Sequence, residues 1–224
     1  MFTGIVQGVA RITALREAAG LRSFRLAFAP GFAAGLTLGA SVAVDGVCLT
    51  VTALQGDQAA DFDVMQQTLA ITTLGSLAVG SCVNVERAAK DGAEVGGHPL
   101  SGHIDFRAVL SDLRQPENNR VLRFAAPAPW MRYIFAKGYI AVAGASLTVA
   151  EAGREPGGAG WFEVWLIPET LRATTFGDTR VGDSVNIEIE RATQVMVDTV
   201  REVVADKLGP LLPALEAFAR ERGL

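Results

Sequence analysis

Both histidines of this chain fall inside one octapeptide, GGHPLSGH (96–103). Histidine is the side chain best suited to moving a proton near neutral pH, so His98 and His103 are the first candidates for chemistry. No Cys, Asp or Glu cluster joins them at ligand spacing, so a metal site is not expected. His98 reads as a hydrogen-bonded linker residue in place of a catalytic one. His103 is the stronger candidate, because an internal repeat sets it against Ile5, and one half of the chain thus carries a titratable ring where the other is aliphatic. The same repeat sets Cys48 against Ser146, each followed by Leu-Thr-Val. A cysteine in a β run is usually a small buried hydrophobe. Its hydroxyl counterpart shows that both halves tolerate polarity there, as matched ligand contacts would, and Thr50 and Thr148 recur beside them. No Cys–His pairing marks Cys48 as a covalent nucleophile. Cys82, matched by Ser184, reads as packing. Lys137 stands where the first half has Gly39, either solvated or facing an anionic or carbonyl ligand. Gln67 and Glu169, before Thr68 and Thr170, offer an amide and a carboxylate.

The elements that position these residues occur twice. SVAVDGVCLTV (41–51) and YIAVAGASLTV (139–149) share six of eleven positions at an offset of 98. FTGIV (2–6) aligns with LSGHI (100–104) at that offset; QTLAITTLG (67–75) with ETLRATTFG (169–177), and VGSCVNVER (79–87) with VGDSVNIEI (181–189), at an offset of 102. A period of this length is a small domain, far above the roughly 20–50 residues of solenoid repeats. The four-residue change in offset falls at EAGREPGGAG (151–160), a Gly/Pro loop tip. Within each half the segments alternate with period two: 22–29, with Phe24, Leu26 and Phe28 on one face, then 41–54 around the hairpin dipeptide Asp45-Gly46, 61–65 and 81–87. The second half follows with 103–110, 119–126, 139–149, 161–167 and 183–189. Strand runs with Gly-rich turns indicate an all-β chain of antiparallel barrels. Short helical turns are expected at 30–36, 129–136 and after each Thr-Leu step. Domains follow as 1–97, 98–192 and a tail 193–224. In the tail Val195, Met196, Val200, Val203 and Val204 recur at helical spacing up to Gly209-Pro210. That amphipathic helix is either an oligomerisation element or packs on its own barrel.

Composition excludes several functions. A net charge of −4, without a basic stripe, disfavours nucleic acid. No apolar run is long enough to span a membrane, and MFTGIV lacks the features of a secretory leader. With only two cysteines, a disulfide framework is not indicated, and a cytoplasmic protein is expected. There is no phosphate loop, no GxGxxG after a strand and no GxSxG elbow.

Taken in order, MFTGIV, VDGVCLTV, GGHPLSGHID, KGYIAVAGASLTV, IPETL and VNIEIE resemble the riboflavin synthase family of the homotrimeric α type, from Met1 to about Val200. The resemblance implies two six-stranded Greek-key barrels followed by a C-terminal helix. It implies one 6,7-dimethyl-8-ribityllumazine per barrel, and a dismutation in which one passes four carbons to the other, giving riboflavin and 5-amino-6-(ribitylamino)uracil. It also implies a site between neighbouring subunits, no cofactor and no metal, with lumazine synthase as a candidate partner. Carried over by position, Gly4, Ile5 and Val6 line the first barrel's pocket with Cys48, Leu49, Thr50 and the stretch Asp63, Val64, Met65, Gln66, Gln67 and Thr68. The second barrel's set is Gly102, His103, Ile104, Lys137, Ser146, Leu147 and Thr148, then Trp165, Leu166, Ile167, Pro168, Glu169 and Thr170. Phe2, Ser41, Cys48 and His103 match positions associated with catalysis: His103 for proton transfer, Cys48 as a polar group at the reacting ring.

The chain departs from the family pattern at Ala143, usually Asp, at Glu190, usually Asp, and at Gln67, usually Glu. The alternative function is a non-catalytic lumazine- or flavin-binding protein of the same fold. The polar set His103, Ser146, Thr148 and Lys137 favours the enzyme.

Overall fold

A computed structural model describes residues 1–18 and 20–222; the last two residues of the tail, 223 and 224, lie outside the described residues. Strands β1 (Gly8–Ala18), β2 (Leu21–Ala27), β3 (Ser41–Val44), β4 (Val47–Gln55), β5 (Ala59–Met65) and β6 (Cys82–Arg87) close into an antiparallel barrel in the Greek-key order β1-β2-β5-β4-β3-β6. β7 (Phe106–Arg114), β8 (Arg120–Ala126), β9 (Tyr139–Val142), β10 (Ala145–Arg154), β11 (Gly160–Leu166) and β12 (Ser184–Ile189) close a second barrel with the corresponding neighbours. A one-turn helix follows β5 and β11 in turn: α1 (Gln66–Ile71) and α2 (Pro168–Ala173), each straddling its Thr-Leu step.

Period-two alternation fills each barrel from inside. Phe24, Leu26 and Phe28 are buried with Phe62 and Val64 in the first, and Leu110, Phe124 and Phe162 are fully buried in the second. The alternation does not mark β1, because only Ala10 and Ile12 of its residues are buried and its outer half reads as surface. Register slips by one residue between Ile12 and Ala14 and between Val51 and Ala53, and again at the repeat-equivalent Leu110/Asp112 and Val149/Glu151. Such bulges supply the extra bend and twist that closing a barrel demands. Three of the extra residues, Thr13, Thr52 and Ser111, donate their hydroxyls to Arg25 O, Asp61 O and Arg123 O. The four-residue insertion sits in the β10–β11 tip.

The two barrels meet hairpin to hairpin. Asp45-Gly46 has φ of 45° and 84°, and Ala143-Gly144 has 43° and 82°, the left-handed pair of a type I′ turn. The turns touch so closely that a Cβ on Gly46 would lie 2.8 Å from Gly144 N, which explains glycine at both places. Two asparagines tie the contact reciprocally. Asn84 Nδ2 donates to Ala143 O (3.0 Å) while its Oδ1 accepts from Thr175 N (2.8 Å). Asn186 Nδ2 donates to Asp45 O (2.9 Å) while its Oδ1 accepts from Thr73 N (2.8 Å). The Asp45 carboxylate, buried here, accepts from Asn84 N (2.8 Å) and has no partner in kind, because the matching residue is Ala143. Burial pushes its pKa up to about 7, against the opposing pull of that hydrogen bond.

From Arg191 the chain forms a separate unit: α3 (Arg191–Leu208), a 3-10 turn at Gly209–Leu211, and α4 (Leu212–Arg222). α3 begins two residues before the expected tail boundary. Val195, Met196, Val200, Val203 and Val204 are all exposed on it. No described helix is long and apolar enough to cross a membrane.

Candidate functional site

The residues ahead of each barrel stay tied to that barrel and also reach the other one. Residues 1–7 form an arm that crosses to the second barrel, and the segment 98–104 forms an arm that crosses to the first. Gly4 O accepts from Ser146 N (2.8 Å), and Gly102 O accepts from Cys48 N (2.9 Å). The arms are joined where they pass, Phe2 N to Leu100 O (2.8 Å) and Leu100 N to Phe2 O (2.9 Å). Both glycines are required by contact and conformation. Gly4 has φ of 76° with Ser146 Cβ 2.5 Å from where its Cβ would stand, and Gly102 has φ of 80° with Cys48 Cβ at the same 2.5 Å.

This exchange corrects the grouping expected from the sequence. Gly4, Ile5 and Val6 do not complete the first barrel's groove with Cys48. They form a cleft of about 280 Å³ with Ser146, Leu147, Glu169 and Thr170 of the second. Gly102, His103 and Ile104 complete the first barrel's groove, where Ile104 packs on that barrel's core and Gly102 abuts Cys48. Tandem alignment shows that two segments correspond; it does not show which barrel each one serves. His103 and Cys48, assigned above to different pockets, therefore belong to one arm-to-barrel junction, where Gly102 beside His103 accepts from Cys48 N.

Each arm is held by a buried glutamate. Glu86 accepts from Thr3 N (2.6 Å), Thr3 Oγ1 (2.8 Å) and Gly4 N (3.0 Å). Glu188 accepts from Ser101 N (2.7 Å), Ser101 Oγ (2.7 Å) and Gly102 N (3.0 Å). Burial raises the Glu86 pKa, and the donors from Thr3 and Gly4 pull it back. Neither glutamate stood among the sequence candidates, because a charge in an alternating strand reads as a solvent face. The available signal was identity: VNVE and VNIE keep Asn and Glu at matched places in both halves.

The remaining candidates fall as follows. Ser41 is paired in register with Thr50 on the strand beside Cys48. Phe2 is buried at 1% exposure in a small cluster with Ala43, Leu100 and Ala141, and Cys48 packs against that cluster. Phe2 thus backs the groove wall. In the stretch 63–68, Val64 fills the barrel core while Asp63, Met65, Gln66 and Gln67 are exposed. In 165–170, Leu166 is core while Trp165, Ile167 and Glu169 are exposed. Glu169 is paired with Arg172 (2.9 Å), and that hydrogen bond holds its carboxyl below the usual range. Lys137 is exposed and keeps φ of 68° where Gly39 has 79°, donating its backbone N–H to Val149 O (2.7 Å). A lysine in a conformation that favours glycine costs about 1–2 kcal/mol, an expense consistent with a functional side chain. Among the described residues, no three His, Cys, Asp or Glu side chains gather as a metal-binding group.

Comparison with known proteins agrees with this architecture. The model of the lumazine binding domain matches twice, at residues 3–88 and 101–190. The chain is 47% identical over 206 residues to the riboflavin synthase of Escherichia coli, covering 92% of this chain and 94% of that one. It is 43% identical over 191 residues to that of Mycobacterium tuberculosis, covering 85% and 93%. Among solved structures, LumP complexed with riboflavin superposes with a TM-score of 0.74 at 26% identity, over 85% of this chain and all of that one. LumP complexed with 6,7-dimethyl-8-(1'-D-ribityl) lumazine shares the fold, with a TM-score of 0.73 at 24% identity over the same shares. Two barrels with two domain matches, and near-full-length likeness to these enzymes, place the chain: it belongs to the riboflavin synthase family of tandem lumazine-binding domains.

Proposed function

We propose that the chain catalyses the riboflavin synthase reaction, in which one 6,7-dimethyl-8-ribityllumazine donates a four-carbon unit to a second, giving riboflavin and 5-amino-6-(ribitylamino)uracil. The observation that carries this reading is a pair of arm-to-barrel junctions alike in construction and unlike in chemistry. One joins Cys48 to an arm bearing His103; the other joins Ser146 to an arm bearing Ile5. A reaction between two copies of one molecule needs similar pockets, and distinct donor and acceptor roles need them to differ. Holding two rings in reacting geometry can supply roughly 7–11 kcal/mol of the barrier. His103 moves the proton of a lumazine C7 methyl, and Cys48 meets the resulting anion as a weak donor. No cofactor or metal takes part.

The test is direct. Purified protein mixed with the lumazine is expected to generate riboflavin absorbance, and His103→Ala is expected to slow it about a hundredfold. Cys48→Ala is expected to slow it about tenfold. Turnover within a few-fold of the parent in both variants would refute these roles. The second reading, a lumazine carrier, is favoured by the likeness to LumP. It predicts a stable bound lumazine with no conversion.

The active assembly in this proposal is a cytoplasmic homotrimer, with lumazine synthase as its candidate partner. The exposed apolar stripe on α3 supports the oligomer. Deleting the chain from Thr193 onward is expected to yield inactive monomers in analytical ultracentrifugation. A truncated protein that still sedimented as a trimer would overturn this assignment of the tail.

A further inference from the structure

Behind the second groove stands a histidine that the proposed mechanism does not use. His98 is 2% exposed, and its Nδ1 lies 2.6 Å from Ser146 Oγ. Its backbone N–H donates to Thr3 O (3.0 Å), so the ring is anchored to the arm that completes this groove. Gly97 fixes the approach: a Cβ there would lie 2.1 Å from Thr3 O and 2.7 Å from Ser146 Cβ. The ring stacks on Tyr139, with centroids 5.1 Å apart and planes at 19°.

We infer that His98 is a positioning residue of the second groove: its Nδ1–H donates to Ser146 Oγ and aims the serine O–H into the groove, as a donor to a carbonyl or ring nitrogen of the bound lumazine. Two observations set the direction of that hydrogen bond. His98 Nε2 is buried with no partner among the described residues, so a proton placed there would be an unmade buried N–H. Leaving such a donor unpaired costs about 1–3 kcal/mol, whereas a proton on Nδ1 has an acceptor at hand. The ring is also neutral at neutral pH and has one proton to place. Burial lowers its pKa, and the Glu190 charge raises it by a lesser amount; Tyr139 is the titratable ring stacked upon it. Ser146 spends its backbone N–H on Gly4 O and is one of the residues lining the 280 Å³ cleft. With His98 donating from behind, the hydroxyl proton is the group left to meet a ligand.

The device is one-sided. The chain's other histidine, His103, is exposed on the arm whose Gly102 accepts from Cys48 N, while His98 is buried against Ser146, so the two histidines serve the two junctions differently. The identity of the ligand rests on the riboflavin synthase reading; the Ser146–His98 geometry does not.

The experiment compares two replacements that separate hydrogen bonding from packing. His98→Asn keeps an N–H near the Nδ1 position and loses the ring. His98→Phe keeps the ring and its stacking and loses the N–H. Turnover is expected to stay within about threefold of the parent in His98→Asn and to fall about tenfold in His98→Phe, the loss of roughly one donor. In the Ser146→Ala background, His98→Phe is expected to add no further loss, since its effect runs through that hydroxyl. Retained activity in His98→Phe with loss in His98→Asn would make the role one of packing. A full additional loss on top of Ser146→Ala would show that His98 acts elsewhere. Either result overturns the inference. Riboflavin affinity by fluorescence and the imidazole tautomer by ¹⁵N NMR are read on the same proteins. A protonated Nε2 in the folded parent would also overturn it. A parent with no turnover at all would sink the enzymatic reading instead, while the tautomer and the affinity order still decide this one.

Discussion

Gly102→Ala is expected to lower turnover by about a hundredfold or more, the scale on which an error of about 1 Å in a positioning element acts. The added Cβ would stand 2.5 Å from Cys48 Cβ and 2.8 Å from Cys48 N, and φ is 80°. The nearest atoms are backbone and the first side-chain atom, so no rotamer relieves the clash. The arm must withdraw from the first barrel, and the Cys48 N to Gly102 O hydrogen bond goes with it. The Glu188 carboxylate then loses donors that offset its burial. His103, one residue along, leaves the thiol groove. Gly80→Ala provides the control: φ is 96°, but nothing lies within 4 Å. That variant carries only the conformational cost of about 1–2 kcal/mol, a drop of several degrees in Tm with turnover retained. Comparable kinetics for the two alanine variants would show that the arm does not shape the site.

The second large effect concerns stability. The Asp45 carboxyl titrates near 7 in the fold and near 3.8 when exposed. The unfolded chain therefore gives up this proton first as pH rises, and stability falls across the window from about pH 4 to pH 7. Integrated over that window the loss is about 4 kcal/mol, present in full above pH 7 and absent below pH 4. Asp45→Asn keeps an oxygen to accept from Asn84 N, tolerates the left-handed φ of 45°, and cannot ionise. Its Tm at pH 8 is expected to exceed the parent's by several degrees, with the difference vanishing near pH 4. Parallel Tm curves for the two proteins between pH 4 and pH 8 would show that the carboxylate is not buried as described.

Much of the architecture is legible in the residues themselves. Period-two runs place the strands because each barrel has one inside and one outside. Asp-Gly marks the first hairpin, and the repeat extends the same turn to Ala143-Gly144 without any turn signal at position 143. β1 escapes the pattern because its exposed half carries most of its length. What the site adds is harder to read, for a physical reason. Glu86, Glu188, Asn84 and Asn186 are polar groups buried by partners about 60 to 140 residues away. Nothing local distinguishes them from surface residues except that both halves keep them. His98 was legible as hydrogen-bonded, but its partner Ser146 lies 48 residues on and becomes its neighbour only when an arm crosses between barrels.

The crossing of the arms has a further consequence. At its grooves this single chain behaves as an internal dimer: each barrel lends a wall to the other, Gly4 to Ser146 and Gly102 to Cys48. Neither groove can form from one barrel alone, and neither can be lost singly by prying the barrels apart. Fusion into one polypeptide is what allows the two borrowed walls to differ, Ile5 on one and His103 on the other, which a symmetric pair of identical barrels could never do.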